Sequence, residues 1–318
     1  VDVAELQRRT VRVLAAAQVL GGVGVGAGIS VLGLIAEDVS GSTAMAGVTQ
    51  TATVLGAAVA ALPLARLMSA RGRRPGLTVG YLAALAGSVL VVTGAVAGSV
   101  ALVLVGAATM GAGTATNLQS RYAAADLAEP DHRARALATV VWATTLGVVL
   151  GPNLTGPGAV VADALRLPDL AGPLLFSVAA FGLAGAVVAL LLRPDPLLVA
   201  RKLAQPGDAD RHLSLLPALR AAATSRWTVL ALVAVAVAHT VMVSVMVMTP
   251  VHMRHEGATL SVVGVVISLH VAGMYALSPL VGWLADRLGR VAVIVVGHLV
   301  LGAAVLVSGT ADDHAVLG

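Results

Sequence analysis

The stretch Gly282 to Arg290, "GWLADRLGR", brings Asp286, Arg287 and Arg290 together in a chain that is only 11% charged. A carboxylate and two guanidiniums so close can form charge-assisted hydrogen bonds with one another or with the amides of a neighbouring helix N-terminus. Gly282 lets one helix end approach another, and Gly289 permits a backbone conformation that side chains resist. The group can latch one of two arrangements of the chain and release it in the other. Anchoring of membrane topology is the plainer role for the two arginines. His239 and His270 stand inside long apolar runs, where an ionisable group is expensive and can carry protons near neutral pH. A buried, neutral, hydrogen-bonded imidazole is the alternative for each. Asn117, Asn153, Gln50, Thr144 and Thr145 also interrupt apolar runs, fit either to line a cavity or to bond one helix to the next. Met242, Met246 and Met248 offer an adaptable apolar surface, or simple packing.

Other chemistries lack their residues. The chain has no cysteine, hence no disulfide framework, thiolate metal site or cysteine nucleophile. "HMRHE", His252 to Glu256, is not the H-E-x-x-H of a zinc hydrolase, so no metal site is expected. There is no phosphate-binding G-x-x-x-x-G-K-S/T loop, and no nucleophile, base and orienting group recur at suggestive spacing. Neither an enzyme nor a bound cofactor is expected. The pI is near 10.3, but the basic residues form no single patch, which argues against nucleic acid as a partner.

The elements that must hold these residues are membrane helices. At 318 residues, 58% hydrophobic with 35 glycines, and with a mean hydropathy of +0.93, the chain is far more apolar than a soluble domain. Small residues in such abundance suit close helix contact in lipid. Nine runs are long enough to span, near 11–36, 44–68, 76–97, 99–122, 135–161, 171–192, 227–250, 259–281 and 291–310. With the N-terminus in the cytoplasm, only Arg166 and Arg254 of the 20 Lys and Arg residues fall outside. This bias supports both the span count and a multi-pass protein of the plasma (inner) membrane with a cytoplasmic N-terminus. A polar stretch with three prolines divides the chain into a six-helix N-terminal lobe, 1–192, a cytoplasmic linker, 193–226, and a partial C-terminal lobe of three helices, 227–318.

The two lobes carry related turns. "ARLMSARGRRPG" follows the second helix and "GWLADRLGR" follows the eighth, each placing a Gly-Arg pair, Gly72-Arg73 or Gly289-Arg290, in a tight turn. The chain resembles the major facilitator superfamily, whose loop motif G-x-x-x-D-R-x-G-R-R/K lies between helices two and three and recurs between eight and nine. Gly282, Asp286, Arg287, Gly289 and Arg290 fit the later copy. The earlier keeps Gly72, Arg73 and Arg74 but has Ala65, Ser69 and Ala70 elsewhere. In the fifth helix Gly147, Gly151, Pro152 and Gly156 fit the antiporter-type pattern G-x8-G-x3-G-P-x2-G-G, from which Ala138 and Thr155 depart. The intramembrane arginine that many proton-coupled members have in helix four is replaced by Val105, and Arg121 lies near the cytoplasmic end of that span.

The resemblance implies an all-α membrane protein with a major-facilitator-type helical bundle, truncated after the ninth helix, with three more spans expected after Gly318. It implies secondary active transport by alternating access: proton-coupled export of small lipophilic or amphipathic compounds by a monomer. Because no fixed charge other than the histidines lies mid-span, a strongly charged substrate is not expected. The alternatives are uptake or exchange of a polar nutrient, and a non-transporting scaffold or inactive truncated product.

Overall fold

The computed structural model describes residues 2–129, 132–203, 220 and 223–310. Much of the linker, 204–219 with 221 and 222, and the terminal residues 311–318 lie outside the described residues, as does the side chain of Asp286. The described secondary structure is helical. The first half contains α1 (Val3–Ser40), α2 (Ala44–Arg71), α3 (Arg73–Ala97), α4 (Val100–Ala123), α5 (Arg133–Leu150), α6 (Thr155–Ala164) and α7 (Gly172–Leu191). A short α8 (Pro196–Leu203) opens the linker, and the second half contributes α9 (Arg226–His255), α10 (Leu260–Ala276), α11 (Ser278–Leu288) and α12 (Arg290–Thr310).

Helix ends fall where the sequence supplies caps. Asp2 accepts from the amides of Ala4 and Glu5 at 2.9 and 3.3 Å, and Ser99 and Ser225 cap α4 and α9 through the amides of Leu102 and Thr228. Gly41 and Gly98 close α1 and α3 in the left-handed region, at φ 70° and 64°. Two expected spans are broken. The fifth is interrupted by a 3-10 turn, Gly151–Leu154, because Pro152 cannot donate to the helical ladder. The eighth breaks at Leu277, ahead of Pro279, into α10 and α11. Eight described helical segments are each long and apolar enough to cross a membrane, with α10 a shorter apolar helix beside them.

In the first half α1 packs on α5 and α7, and α4 packs on α2 and α3. The shared core is small and dense: Leu14, Ala17, Val31, Ile35, Leu77, Tyr81, Ala84, Leu174 and Phe181 are all buried. Glycine makes this closeness possible. A Cβ on Gly22 would lie 2.7 Å from the Thr144 carbonyl and 3.0 Å from the Gly147 Cα, so α1 and α5 touch backbone to backbone.

The halves meet at the end opposite the N-terminus. There the closing parts of α1 and α9 join the 3-10 turn, α6 and the start of α10. Met246, Met253, Val263, Ile267 and Val271 form an apolar cluster with Val148 of α5. At the other end of α9, residues 226 to 233 are exposed.

Candidate functional site

Between the halves lies a cavity of about 470 Å³. One α4 face, Met110, Thr114, Asn117, Leu118 and Arg121, supplies a stripe at intervals of three and four residues. Val25, Ile29 and Leu32 of α1, Gln50, Thr53, Val54 and Ala57 of α2, Thr144 and Val148 of α5 and Phe181 of α7 make up the rest of the first-half wall. The second half contributes His239, Met242, Val243 and Met246 from α9 with Val271 and Met274 from α10. The result is an apolar chamber with a few amide, hydroxyl and cationic groups, of a size suited to a small organic molecule. A second cleft, of about 690 Å³, lies between the starts of α1 and α5 and is lined by the first half alone, including Arg8, Arg12 and Arg135. Of these two, only the cavity shared by both halves can change shape as they move.

Behind the cavity wall four polar side chains tie four helices together. Gln18 Nε2 donates to Thr144 Oγ1 at 2.7 Å and to the Asn117 carbonyl at 3.1 Å. The Tyr81 hydroxyl lies 3.0 Å from Asn117 Oδ1 and 3.1 Å from Gln18 Oε1. All four are buried, and Gly21 leaves the room they need, since a Cβ there would stand 2.6 Å from Asn117 Oδ1. Such a network holds Asn117 and Thr144 in fixed positions against the cavity. Gln18 and Tyr81 are polar residues in apolar runs, yet nothing in their spacing marks them.

The predicted residues separate into groups. Asn117 and His239 line the cavity, His239 from an exposed position. His270, beside Val271 on α10, is outside the lining; its Nε2 is buried without a hydrogen-bond partner among the described residues. Asn153 is not a cavity residue either. Its Nδ2 donates to Ser268 Oγ at 2.7 Å, Ser268 donates on to the Val149 carbonyl at 2.8 Å, and the Thr155 hydroxyl, with one proton to give, lies 2.8 Å from the Leu260 carbonyl and 2.7 Å from the Pro152 carbonyl. These bonds join the two halves. The fifth-helix motif divides likewise: Gly147 and Gly151 press on α1, whereas Gly156 faces Ser261 of α10, and Gly264 of α10 faces Pro152 and Thr155.

The two Gly-Arg turns share a backbone. Gly72 has φ 98° and ψ 170°, Gly289 has φ 87° and ψ 147°, and each amide closes the preceding helix, on Met68 and Ala285 respectively. Gly282 falls within α11 rather than in the turn itself, and Arg287 and Arg290 are exposed. The first turn, which lacks the motif acid, is supplied with acids from elsewhere. Arg73 Nε and Nη2 donate to Asp126 Oδ2 and Oδ1 at 2.7 and 3.0 Å, and the Arg74 amide donates to Asp195 Oδ2 at 2.7 Å. Asp195 also caps α8 through the amides of Leu197 and Leu198, and it occupies the space that a Cβ at Gly72 would need. Neither acid sits at a motif position, so only folding brings them to the turn.

At the joined end Glu37 Oε1 lies 2.8 Å from His255 Nε2, a further link between α1 and α9.

With this geometry in place, the comparisons with known proteins decide the family. A model of the Major Facilitator Superfamily matches residues 14–316. The chain belongs to the major facilitator superfamily. An uncharacterized MFS-type transporter of Bacillus subtilis, YddS, is 41% identical over 308 residues, covering 96% of this chain and 71% of that protein. A riboflavin transporter of Brucella anthropi, RfnT, is 28% identical over 305 residues, 95% of this chain and 73% of its own. The crystal structure of a bacterial homolog to the human lysosomal transporter Spinster, inward-facing and unoccupied, shares the fold with a TM-score of 0.62 at 16% identity. That match covers 89% of this chain, which spans 63% of the length of that structure. The chain is thus a multi-pass membrane protein with the superfamily's helical fold.

Proposed function

We propose that the protein is a secondary active transporter that exports small amphipathic compounds by alternating access, driven by a proton gradient. It works as a monomer in the plasma membrane with its N-terminus in the cytoplasm. The observation that carries this reading is the central cavity, walled by both halves while side-chain bonds join those halves at one end. Parting of that seam as the opposite end closes exposes the cavity on alternate sides. His239 in the wall and His270 behind it are the groups placed to exchange protons with the chamber. Val105 is 56% exposed on the outer face of α4, so the helix-four position of the usual arginine relay does not serve here. The Gly72 and Gly289 turns bias the two arrangements, with Asp286 as the acid of the second.

Everted vesicles carrying an acid-interior gradient test this. Addition of an amphipathic substrate should dissipate the gradient, measured by recovery of acridine orange fluorescence. Asp286→Asn should slow the recovery several-fold. No recovery across a panel of amphipathic acids, bases and neutral compounds, with expression confirmed, overturns proton-coupled export.

A second reading, uptake of a polar nutrient, is favoured by the Asn117 and Thr144 network at the wall and by likeness to a riboflavin transporter. It predicts riboflavin-dependent growth of an uptake-deficient auxotroph expressing the chain. Absence of growth removes it.

A further inference from the structure

Arg121 has no role in the assignment above. It stands in the last turn of α4, where a basic residue complements the helix dipole and an arginine ordinarily extends toward the membrane surface. Its placement differs from that expectation. Arg121 ends the α4 stripe that lines the central cavity, one turn beyond Asn117, and its Nε is buried without a hydrogen-bond partner among the described residues. Arg121 as a whole is half-buried, and even a partly buried guanidinium in a membrane protein is costly unless an opposite charge or enough acceptors meet it. Among the described residues, none that lines the cavity is an Asp or Glu. Gln50, Thr114 and Asn117 can accept hydrogen bonds there but supply no charge.

We propose that the compound bound in the central cavity carries an oxyanion, a carboxylate or phosphate, which pairs with Arg121 while its apolar body lies against Met110, Phe181 and Met246. The inference rests on the cavity being the substrate site and narrows the amphipathic substrates to organic anions. A planar guanidinium presents a fork of N–H donors that matches two oxygens of one anion. The low-dielectric wall strengthens that attraction and repels a lipophilic cation by the same charge. The surrounding field agrees in sign: the cleft between the starts of α1 and α5 gathers Arg8, Arg12 and Arg135 against one acid, Glu129, among the described residues that line it. Such a surface concentrates anions near the protein. The expectation of no fixed charge mid-span other than the histidines concerns the middle of the spans; Arg121 adds a fixed charge to the cavity lining from the last turn of α4. Spacing from Asn117 to Arg121 places both on one helix face, and nearness to the helix end conceals it.

The test uses two probes with one apolar body, dansylglycine and its uncharged amide, titrated by fluorescence anisotropy into the purified chain. The wild-type chain should bind the carboxylate about tenfold or more tightly than the amide, the range of one charge-assisted contact. Arg121→Gln should abolish that preference by weakening the carboxylate alone, with amide binding showing that the variant is folded. Arg121→Lys should retain part of the preference, which a merely structural role does not predict. Equal affinity for the two probes in the wild-type chain, or a preference that survives in Arg121→Gln, overturns the proposal. Thr114→Trp, which fills the cavity, separates this from the underlying reading. If it blocks both probes while Arg121→Gln leaves their ratio intact, only the anion assignment fails. If both probes still bind to Thr114→Trp, the cavity is not the site and both assignments fail. Displacement of dansylglycine by dodecanoate but not by naphthoate assigns the anion to a membrane amphiphile, and the converse to a soluble acid.

Discussion

Where α5 meets α1, backbone lies directly on backbone; where its continuation meets α10, side chains reach across to hydroxyls and carbonyls. On the first side Gly22, Gly26, Gly147 and Gly151 leave no atom between the helices, and a Cβ on Gly151 would come within 2.6 Å of the Ala27 amide. On the second side Asn153, Thr155 and Ser268 carry the polar contacts. A glycine seam has one fitted arrangement and resists sliding. Interhelical side-chain bonds in membranes average only about 0.6 kcal/mol, and their groups can exchange partners. One helix thus joins a rigid body to a parting seam, which is what a rocking half requires.

The strongest way to break that contrast is to thicken the glycine seam. A leucine at position 147 meets the Val19 carbonyl and the Val23 amide, backbone atoms that no side-chain rotation can clear. Gly147→Leu should destabilise the chain by about 3 kcal/mol, the upper part of the range for overpacking, seen as a lower midpoint of thermal unfolding in detergent. Gly297 of α12 has nothing within 4 Å of a Cβ, and Gly297→Leu should change stability by no more than about 0.5 kcal/mol. Equal effects at the two positions would show that α1 and α5 are not packed through glycine.

The parting seam calls for a different readout. The chain has no cysteine, so Val263→Cys, fully buried in the cluster that α10 forms with Val148 of α5, makes a unique reporter of opening. Adding Asn153→Ala removes the bond to Ser268 and should leave stability nearly unchanged, by about 0.6 kcal/mol. The same energy should raise alkylation of the reporter thiol by a membrane-impermeant reagent about threefold. An unchanged rate would mean that Asn153 does not hold the halves together.

The two seams are not equally legible in the sequence. Apolar runs set the helices, and Gly147, Gly151, Pro152 and Gly156 mark the fifth as a place of close packing and a break, since both features follow from local covalent chemistry. What faces each glycine is a tertiary fact. Asn153 has the same polar side chain whether it lines a cavity or bonds to Ser268, 115 residues away, and only the second occurs. Asn117, His239 and Met246 do line the cavity, because their α4 and α9 faces turn inward. Asp126 and Asp195 lie beyond reach of motif logic: each meets its partner across 53 or 121 residues of chain.

The smallest effect should come from the outermost link of the parting seam. Glu37 and His255 are 2.8 Å apart, but the histidine side chain is 55% exposed, so water and salt compete for the pair. With the imidazole protonated, such pairs contribute about 0.2–1 kcal/mol. Glu37→Gln should therefore leave thermal stability unchanged within error and raise alkylation of the Val263→Cys reporter by less than Asn153→Ala does. Salt separates the two contacts. At about 1 M salt the screening length falls to about 3 Å, so the reporter's rates with Glu37 and with Glu37→Gln should converge while the neutral Asn153 bond keeps its effect. A Glu37→Gln effect that persists in high salt would mean that Glu37 holds the seam through its hydrogen bond rather than through its charge, and would place it with Asn153 among the neutral links of the seam.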